Sequence, residues 1–335
     1  KFQDYVTDTS LTLIRNEDFW REPALDKVVY KFITDKSVSS MALQNKEIDI
    51  ALAILPTEIE NIAGKDYLTV APSAIGSLRW IGFNCKKKIF SDSEVRRALA
   101  MAVDMDGAIK AIFSNKAGAK LAVRGYGCIP YERPGGDLES NKAVTPRYNP
   151  KEAVKLLDKL GWKTGPGGVR SKDGQKMSFV LQVGNNDANR EKLSVIVATQ
   201  LKAIGVDCTA RTAEWATHTS DIAKGTVEMY IMGGYSNLDG GKRLMETNTK
   251  RFSPNCGYSN EDVDKLIQEA FRTMNYDKRC ALLRKADNIF SSECPHLGAY
   301  FEYSQVGYNK RVTDFGYATV YQALCSPVRN VGVAE

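Results

Sequence analysis

The sequence predicts an α/β protein of two lobes with mixed sheets, rather than one regularly wound sheet. Three observations lead there. The 335 residues are enough for about two domains of ordinary size, each with its own core. Segments of strand and helix periodicity alternate along the chain, but irregularly. The composition, 43% hydrophobic and 26% charged, is that of a globular protein, and no apolar run approaches the roughly 20 residues that span a bilayer.

The elements follow in order. The opening residues and Ser10 to Arg15 read as strand, and Val28 to Ile33 is β-branched and aromatic. Ser37 to Asn45 suits a short helix and Glu47 to Ala51 a small strand. Leu78 to Asn84 is a longer strand. A helix begins after the cap candidates Ser91, Asp92 and Ser93, with Val95, Ala98, Leu99, Ala102 and Val103 at helical spacing. Asp106 to Phe113 is a second helix, and residues 114–148, rich in Gly, Pro and aromatics, read as a long surface loop.

The helix after this loop is the best specified. Asn149 can cap it, Pro150 suits its first position, and Glu152 can reach back to the cap amide. Ala153, Leu156, Leu157 and Leu160 make its apolar stripe, and Gly161 ends it. Lys172-Asp173-Gly174 reads as a hairpin turn. Arg190 to Ile204 is a helix, Val206 to Thr212 a strand, and Met229 to Met232 a short buried strand closed by Gly233-Gly234. Asp262 to Thr273 and Asp277 to Ser291 are helices, and Ala299 to Val306 returns as strand.

Several chemistries are unsupported. The net charge of +6 is mild, and Lys86-Lys87-Lys88 lacks the interleaved aromatics of a nucleic-acid patch. Seven cysteines are too far apart for a zinc knuckle or a CxxC pair, and two histidines, His218 and His296, stand apart from clustered carboxylates. No metal and no cofactor are expected. Gly165-Pro166-Gly167-Gly168 fails as a phosphate loop, since no buried strand precedes it and no Lys-Ser/Thr follows. There is no G-x-S-x-G elbow and no dinucleotide fingerprint, so no catalytic residue is assigned.

Five ordered motifs carry a resemblance. They are Leu13 to Trp20, Leu43 to Asp49, Phe83-Asn84 with Phe90 to Asp104, Tyr148 to Trp162, and Tyr258 to Ile267. Together the chain resembles the extracytoplasmic solute-binding proteins of the peptide, nickel and opine class that feed ABC importers, family 5. The resemblance implies a two-lobed, periplasmic-binding-protein-like fold (type II, cluster C-like) with a hinge. Full-length members carry a long N-terminal stretch before the strand that opens this chain, so the first lobe is expected to be incomplete. One lobe would comprise residues 1–82 with 308–335 and the other 83–307, with Leu78–Asn84 and Ala299–Val306 as crossings.

The same resemblance implies capture of a small polar ligand, a short peptide above all, between the lobes and its delivery to a membrane permease. The protein would act as a monomer outside the cytoplasm, periplasmic or tethered by a lipid anchor, with no bond made or broken and no nucleic acid bound. Its implied ligand-binding residues are Trp80, Asn84, Tyr235, Asn237 and Asp239. Trp80 has core packing, and Asn84 a hinge hydrogen bond, as competing roles. Family members usually carry G-W-x-x-D-x-x-D-P where this chain has Gly233-Gly234-Tyr235-Ser236-Asn237-Leu238-Asp239-Gly240. The tryptophan is missing and the acid is shifted, which leaves the ligand class open. A cytoplasmic ligand-sensing domain of a transcriptional regulator is the alternative.

Overall fold

The computed structural model describes residues 1–20, 22–72, 77–114, 118–131, 133–234, 240–241, 244, 256–313 and 332–333. The chain divides into two compact units. The first comprises Lys1–Gly76, Ser114–Ala122 and Glu302–Glu335, and the second comprises Ser77–Phe113 and Val123–Phe301.

In the first unit, β1 (Phe2–Val6), β2 (Ser10–Ile14) and β3 (Lys27–Lys31) form an antiparallel meander. Helix α1 (Lys36–Gln44) starts at Asp35, whose side chain accepts from Val38 N. The strand expected over Glu47 to Ala51 is shorter, β4 (Ile50–Ala51), because Lys46 enters the left-handed region and turns the chain just before it. Two elements carried no sequence signal, the short helix α2 (Ile59–Ala63) and β5 (Leu68–Pro72). The strands β4 and β5 flank Gln305–Asn309, which pairs antiparallel with both. Residues 118–122 belong to this unit through bonds to their carbonyls: Tyr303 N donates to Leu121 O, and the Gln305 side-chain amide donates to Lys120 O.

The second unit holds a six-stranded sheet. Its members are β6 (Ser77–Phe83), β7 (Ala122–Arg124), β11 (Ser178–Gly184), β12 (Asp207–Ala213), β13 (Met229–Gly234) and β14 (His296–Glu302), in the order β12-β11-β13-β6-β14-β7. The intervening β8 (Lys163–Thr164), β9 (Arg170–Lys172) and β10 (Gln175–Lys176) make a small meander. Between β9 and β10, Asp173 and Gly174 both take positive φ (49° and 77°), as a type I′ hairpin requires.

Strands β11, β12 and β13 are parallel and are joined by helices α7 (Ala188–Lys202) and α8 (Trp215–Lys224). This βαβαβ unit fills the sheet with Leu181, Val183, Met229, Tyr230 and Ile231, all buried. Strand β6 then pairs antiparallel with β13, setting Trp80 opposite Met232 and Leu78 opposite Gly234. Gly82 lies across from Tyr230, whose phenol ring fills the space a Cβ at Gly82 would need.

Helix α3 (Ser93–Met101) is followed by α4 (Met105–Phe113). Arg96 of α3 is 3% exposed. It donates to Phe90 O, Glu293 O and Cys294 O. The last two end α10 (Tyr276–Glu293), so a buried cation caps carbonyls left unsatisfied by the helix. The partner helix in that layer is α9 (Glu261–Arg272), capped by Asn260.

Further expectations are corrected. Residues 114–148 are not irregular throughout, since they contain β7 and α5 (Leu138–Val144). Helix α5 lacks an apolar stripe; Asp137 nucleates it by accepting from Ser140 N, and its buried residue is Asn141. The strand expected over Ala299 to Val306 is two strands, β14 and Gln305–Asn309, with a break at Tyr303 and Ser304. Helix α6 (Pro150–Lys159) forms as expected, with Asn149 Oδ1 accepting from Glu152 N at 3.2 Å and Gly161 at φ 88°. Its capping box is not reciprocal: Glu152 pairs with Lys155 at 2.7 Å, and Asn149 N donates to Met101 O instead.

Candidate functional site

A βαβαβ arrangement directs the carboxyl ends of its strands to one edge, which is where open α/β sheets bind ligands. In the second unit that edge is formed by Gly184, Ala213 and Gly234. Because β6 runs antiparallel to β13, its first residues, Ser77 to Arg79, reach the same edge.

Asp187 organises the edge. It ends the turn after β11 and caps α7, its Oδ1 accepting from Asn189 N at 3.0 Å and Arg190 N at 3.1 Å. Its Oδ2 meets Arg79 Nε at 3.2 Å and Arg190 Nε at 2.9 Å. Burial opposes the carboxylate, but the guanidinium groups of Arg79 and Arg190 and the helix amides outweigh it and hold the Asp187 pKa below the usual carboxylate range. Arg79 also donates to Ser77 Oγ and lies across Gly233, where any side chain would collide with it. The Arg190 guanidinium sits 5.2 Å from the Trp215 ring centroid. Trp215 in turn covers Gly184, 2.7 Å from where a Cβ would be. The result is a polar edge held rigid by ion pairs and by glycines that admit close packing.

Beneath it lies a second buried network. His218 Nε2 donates to Ile231 O at 3.1 Å, which leaves Nδ1 to accept from the Gln182 amide at 3.3 Å. The same amide reaches Asp221 Oδ2 at 3.2 Å, and Gln182 Oε1 accepts from Arg211. Burial holds the His218 pKa below the ordinary imidazole value, so the ring is neutral.

Of the residues expected at the site, Trp80 is 7% exposed and its indole stacks on His296, with centroids 5.7 Å apart and planes at 23°. Trp80, His296, Leu78, Tyr126, Cys128 and Ser291 border a cavity of about 10 Å³, room for about one water. Asn84 is 1% exposed. Its Nδ2 donates to Gly225 O at 3.0 Å and Val227 O at 2.7 Å, and its Oδ1 accepts from Lys86 N at 3.2 Å, so it pins the turn that leads into β13. Tyr235, Asn237 and Asp239 lie outside the described residues. They begin immediately after Gly234, whose register partner is Leu78. Sequence reasoning missed Arg79, Asp187 and Arg190. The one available signal was Asp187 as an N-cap before the Arg190 helix.

Arg124, from the segment after α4, donates to the carbonyls of Gly125, Gly298 and Ala299 and lies 4.7 Å from the Tyr126 ring centroid. Burial lowers its pKa to about 10, against the opposing pull of Tyr126 and Asp106. Among the described residues no group of three or more His, Cys, Asp or Glu side chains is placed to hold a metal. Nor is any described helix long and apolar enough to cross a membrane.

The family described as bacterial extracellular solute-binding proteins, family 5 Middle, matches residues 1–253. The chain belongs to this family. The oligopeptide-binding protein AppA of Bacillus subtilis is 26% identical over 276 residues, which are 81% of this chain and 50% of that protein. The di/tripeptide-binding protein 1 of Pseudomonas aeruginosa is 26% identical over 340 residues, 96% of this chain and 59% of that protein. Among solved structures, a putative peptide-binding protein AppA from Clostridium difficile superposes with a TM-score of 0.84 at 20% identity, covering 99% of this chain and 66% of that one. The fold is thus the α/β, two-lobed periplasmic-binding-protein type with mixed sheets. The chain spans about half the length of the curated relatives it matches. An extracellular family does not favour the alternative of a cytoplasmic regulatory domain.

Proposed function

We propose that the protein is the substrate-binding component of an ABC importer. It captures a short peptide outside the cytoplasm and hands it unchanged to a membrane permease. The observation that carries this reading is the family match over residues 1–253. The printed names of the relatives, an oligopeptide-binding and a di/tripeptide-binding protein, support a peptide as the ligand.

In this reading the polar edge of the second unit carries the ligand loop. Tyr235, Asn237 and Asp239 contact the peptide, with Asp239 facing its amino terminus. Trp80 and Asn84 act from behind, holding the β6–β13 pair and the turn at 225–227 that aim the loop. Such a protein needs no general base and no metal. Its binding energy comes from charge-assisted hydrogen bonds on a preorganised frame.

Calorimetry and thermal-shift measurements on the full-length protein, against peptide, opine and nickel-chelate panels, test the proposal. A peptide at 100 times its dissociation constant should stabilise the fold by about 2.7 kcal/mol. Asp239→Asn should weaken peptides with a free amino terminus and leave N-acetylated ones unchanged. Stabilisation by opines or chelates with none by any peptide would overturn the peptide assignment.

A further inference from the structure

Six described cysteines are present as separate thiols, and two of them are neighbours along their backbones. Cys85 follows β6, and its N–H donates to Cys256 O at 2.6 Å. A main-chain bond of that length holds the two Cα atoms within about 6.5 Å of each other. That lies inside the range of roughly 4.4–6.8 Å spanned by disulfides. The adjacent position repeats the approach. Gly257, at φ 63°, sits so close to the Lys86 side chain that a Cβ would collide with it.

Both cysteines also share one apolar cluster. Cys256 is fully buried there with Ile129, Tyr258, Val263 and Phe290, and Cys85 packs against the same group. Two other thiols come near. Cys128 belongs to the cluster, and Cys294 ends α10 with its thiol toward His296 O at 3.8 Å.

We propose that Cys85 and Cys256 form a disulfide in the protein that folds outside the cytoplasm. The reaction is an exchange. The two thiols lose two electrons and two protons and join through sulfur, while an oxidant disulfide (a thiol–disulfide oxidoreductase or oxidised glutathione) takes up both and becomes two thiols. Burial pushes the Cys85 thiol up to about 11 and the Cys256 thiol up to about 12. Thiolates are the attacking species, so the exchange belongs to folding, before the cluster closes. The bond closes a loop of about 170 residues and ties the end of central strand β6 to the entry of α9.

The compartment rests on the extracellular reading above, but the pairing is testable without it. The unfolded, reduced protein is refolded in a buffer of reduced and oxidised glutathione, remaining thiols are blocked, and tryptic peptides are mapped by mass spectrometry. Residues 80–86 and 252–265 each form a tryptic peptide with one cysteine. These two should appear cross-linked, with Cys128, Cys208, Cys280 and Cys294 blocked. Reductant should lower the melting midpoint of the wild type by roughly 5–10 °C and leave Cys85→Ala and Cys256→Ser unmoved. Blocked Cys85 and Cys256, or a link from either to Cys128 or Cys294, would overturn the proposal. If either variant fails to fold, the peptide map of the wild type decides alone.

Discussion

Asp187 has two duties that substitution can separate. Asp187→Ala removes the α7 cap together with the anion between Arg79 and Arg190. Asp187→Asn keeps a capping oxygen for the amides of Asn189 and Arg190 and removes only the charge. A lost cap costs about 1 kcal/mol. Breaking a buried ion pair by deleting one partner costs roughly 3–5 kcal/mol. The carboxylate is 13% exposed and Arg79 14%, so the lower part of that range applies to the charge. The expected losses are about 3 kcal/mol for Asn and about 4 kcal/mol for Ala at pH 7. Urea unfolding followed by tryptophan fluorescence suits the measurement, because Trp80, Trp162 and Trp215 all lie in the second unit. The pH dependence fixes the mechanism. The folded pKa of Asp187 is depressed, so its contribution is present above the ordinary carboxylate value of about 3.8. It disappears as pH falls through the lower folded value. The gap between wild type and Asp187→Asn should therefore be flat from pH 7 to about 5 and narrow below about 4. A gap under about 0.5 kcal/mol at pH 7, within the usual scatter of surface changes, would refute the reasoning.

Other substitutions probe the frame behind the site. Gly82→Ala drives a methyl group into the Tyr230 ring and should cost about 1–3 kcal/mol, and the double variant with Tyr230→Ala should lose less than the two single losses summed. Asp287 is fully buried and accepts from Cys128 N, Ile129 N and the Asn141 amide; burial pushes its pKa up to about 6 despite those donors. A carboxyl-carbon NMR titration should therefore place its midpoint near 6, with its contribution to stability falling as pH rises from about 4 to 6; a midpoint near 4 would contradict the assignment. The His218 pKa is depressed, so its contribution is complete above about 6.5 and declines as pH falls below that value. Replacing His218 with Asn should remove this decline from the stability profile between pH 5 and 7, and an unchanged slope would show that the ring does not titrate there.

What could be read from the chain and what could not follow the same division. Helix α6 was legible because its cap, its first-turn proline and its stop glycine all sit within a dozen residues, as were α3, α7, α9 and α10 from their apolar spacing. Helix α5 was missed because Asp137 and a buried Asn141 shape it without an apolar stripe. Asn84 and Trp80 drew notice through the strand that carries them. Arg79 and Asp187 did not, since they stand 108 residues apart in sequence and meet only after β6 is laid beside β13. Arg96 gave no warning either: an arginine on an apolar helix face is unusual until the carbonyls at the end of α10 arrive to receive it.

The position of β6 has a temporal consequence. Earliest in the chain among the six strands, it lies between β13 and β14, which are translated about 150 and 220 residues later. During synthesis it has neither neighbour, so the sheet cannot zip progressively from the amino end. Assembly must await nearly all of the second unit, and such distant pairings are slow to nucleate.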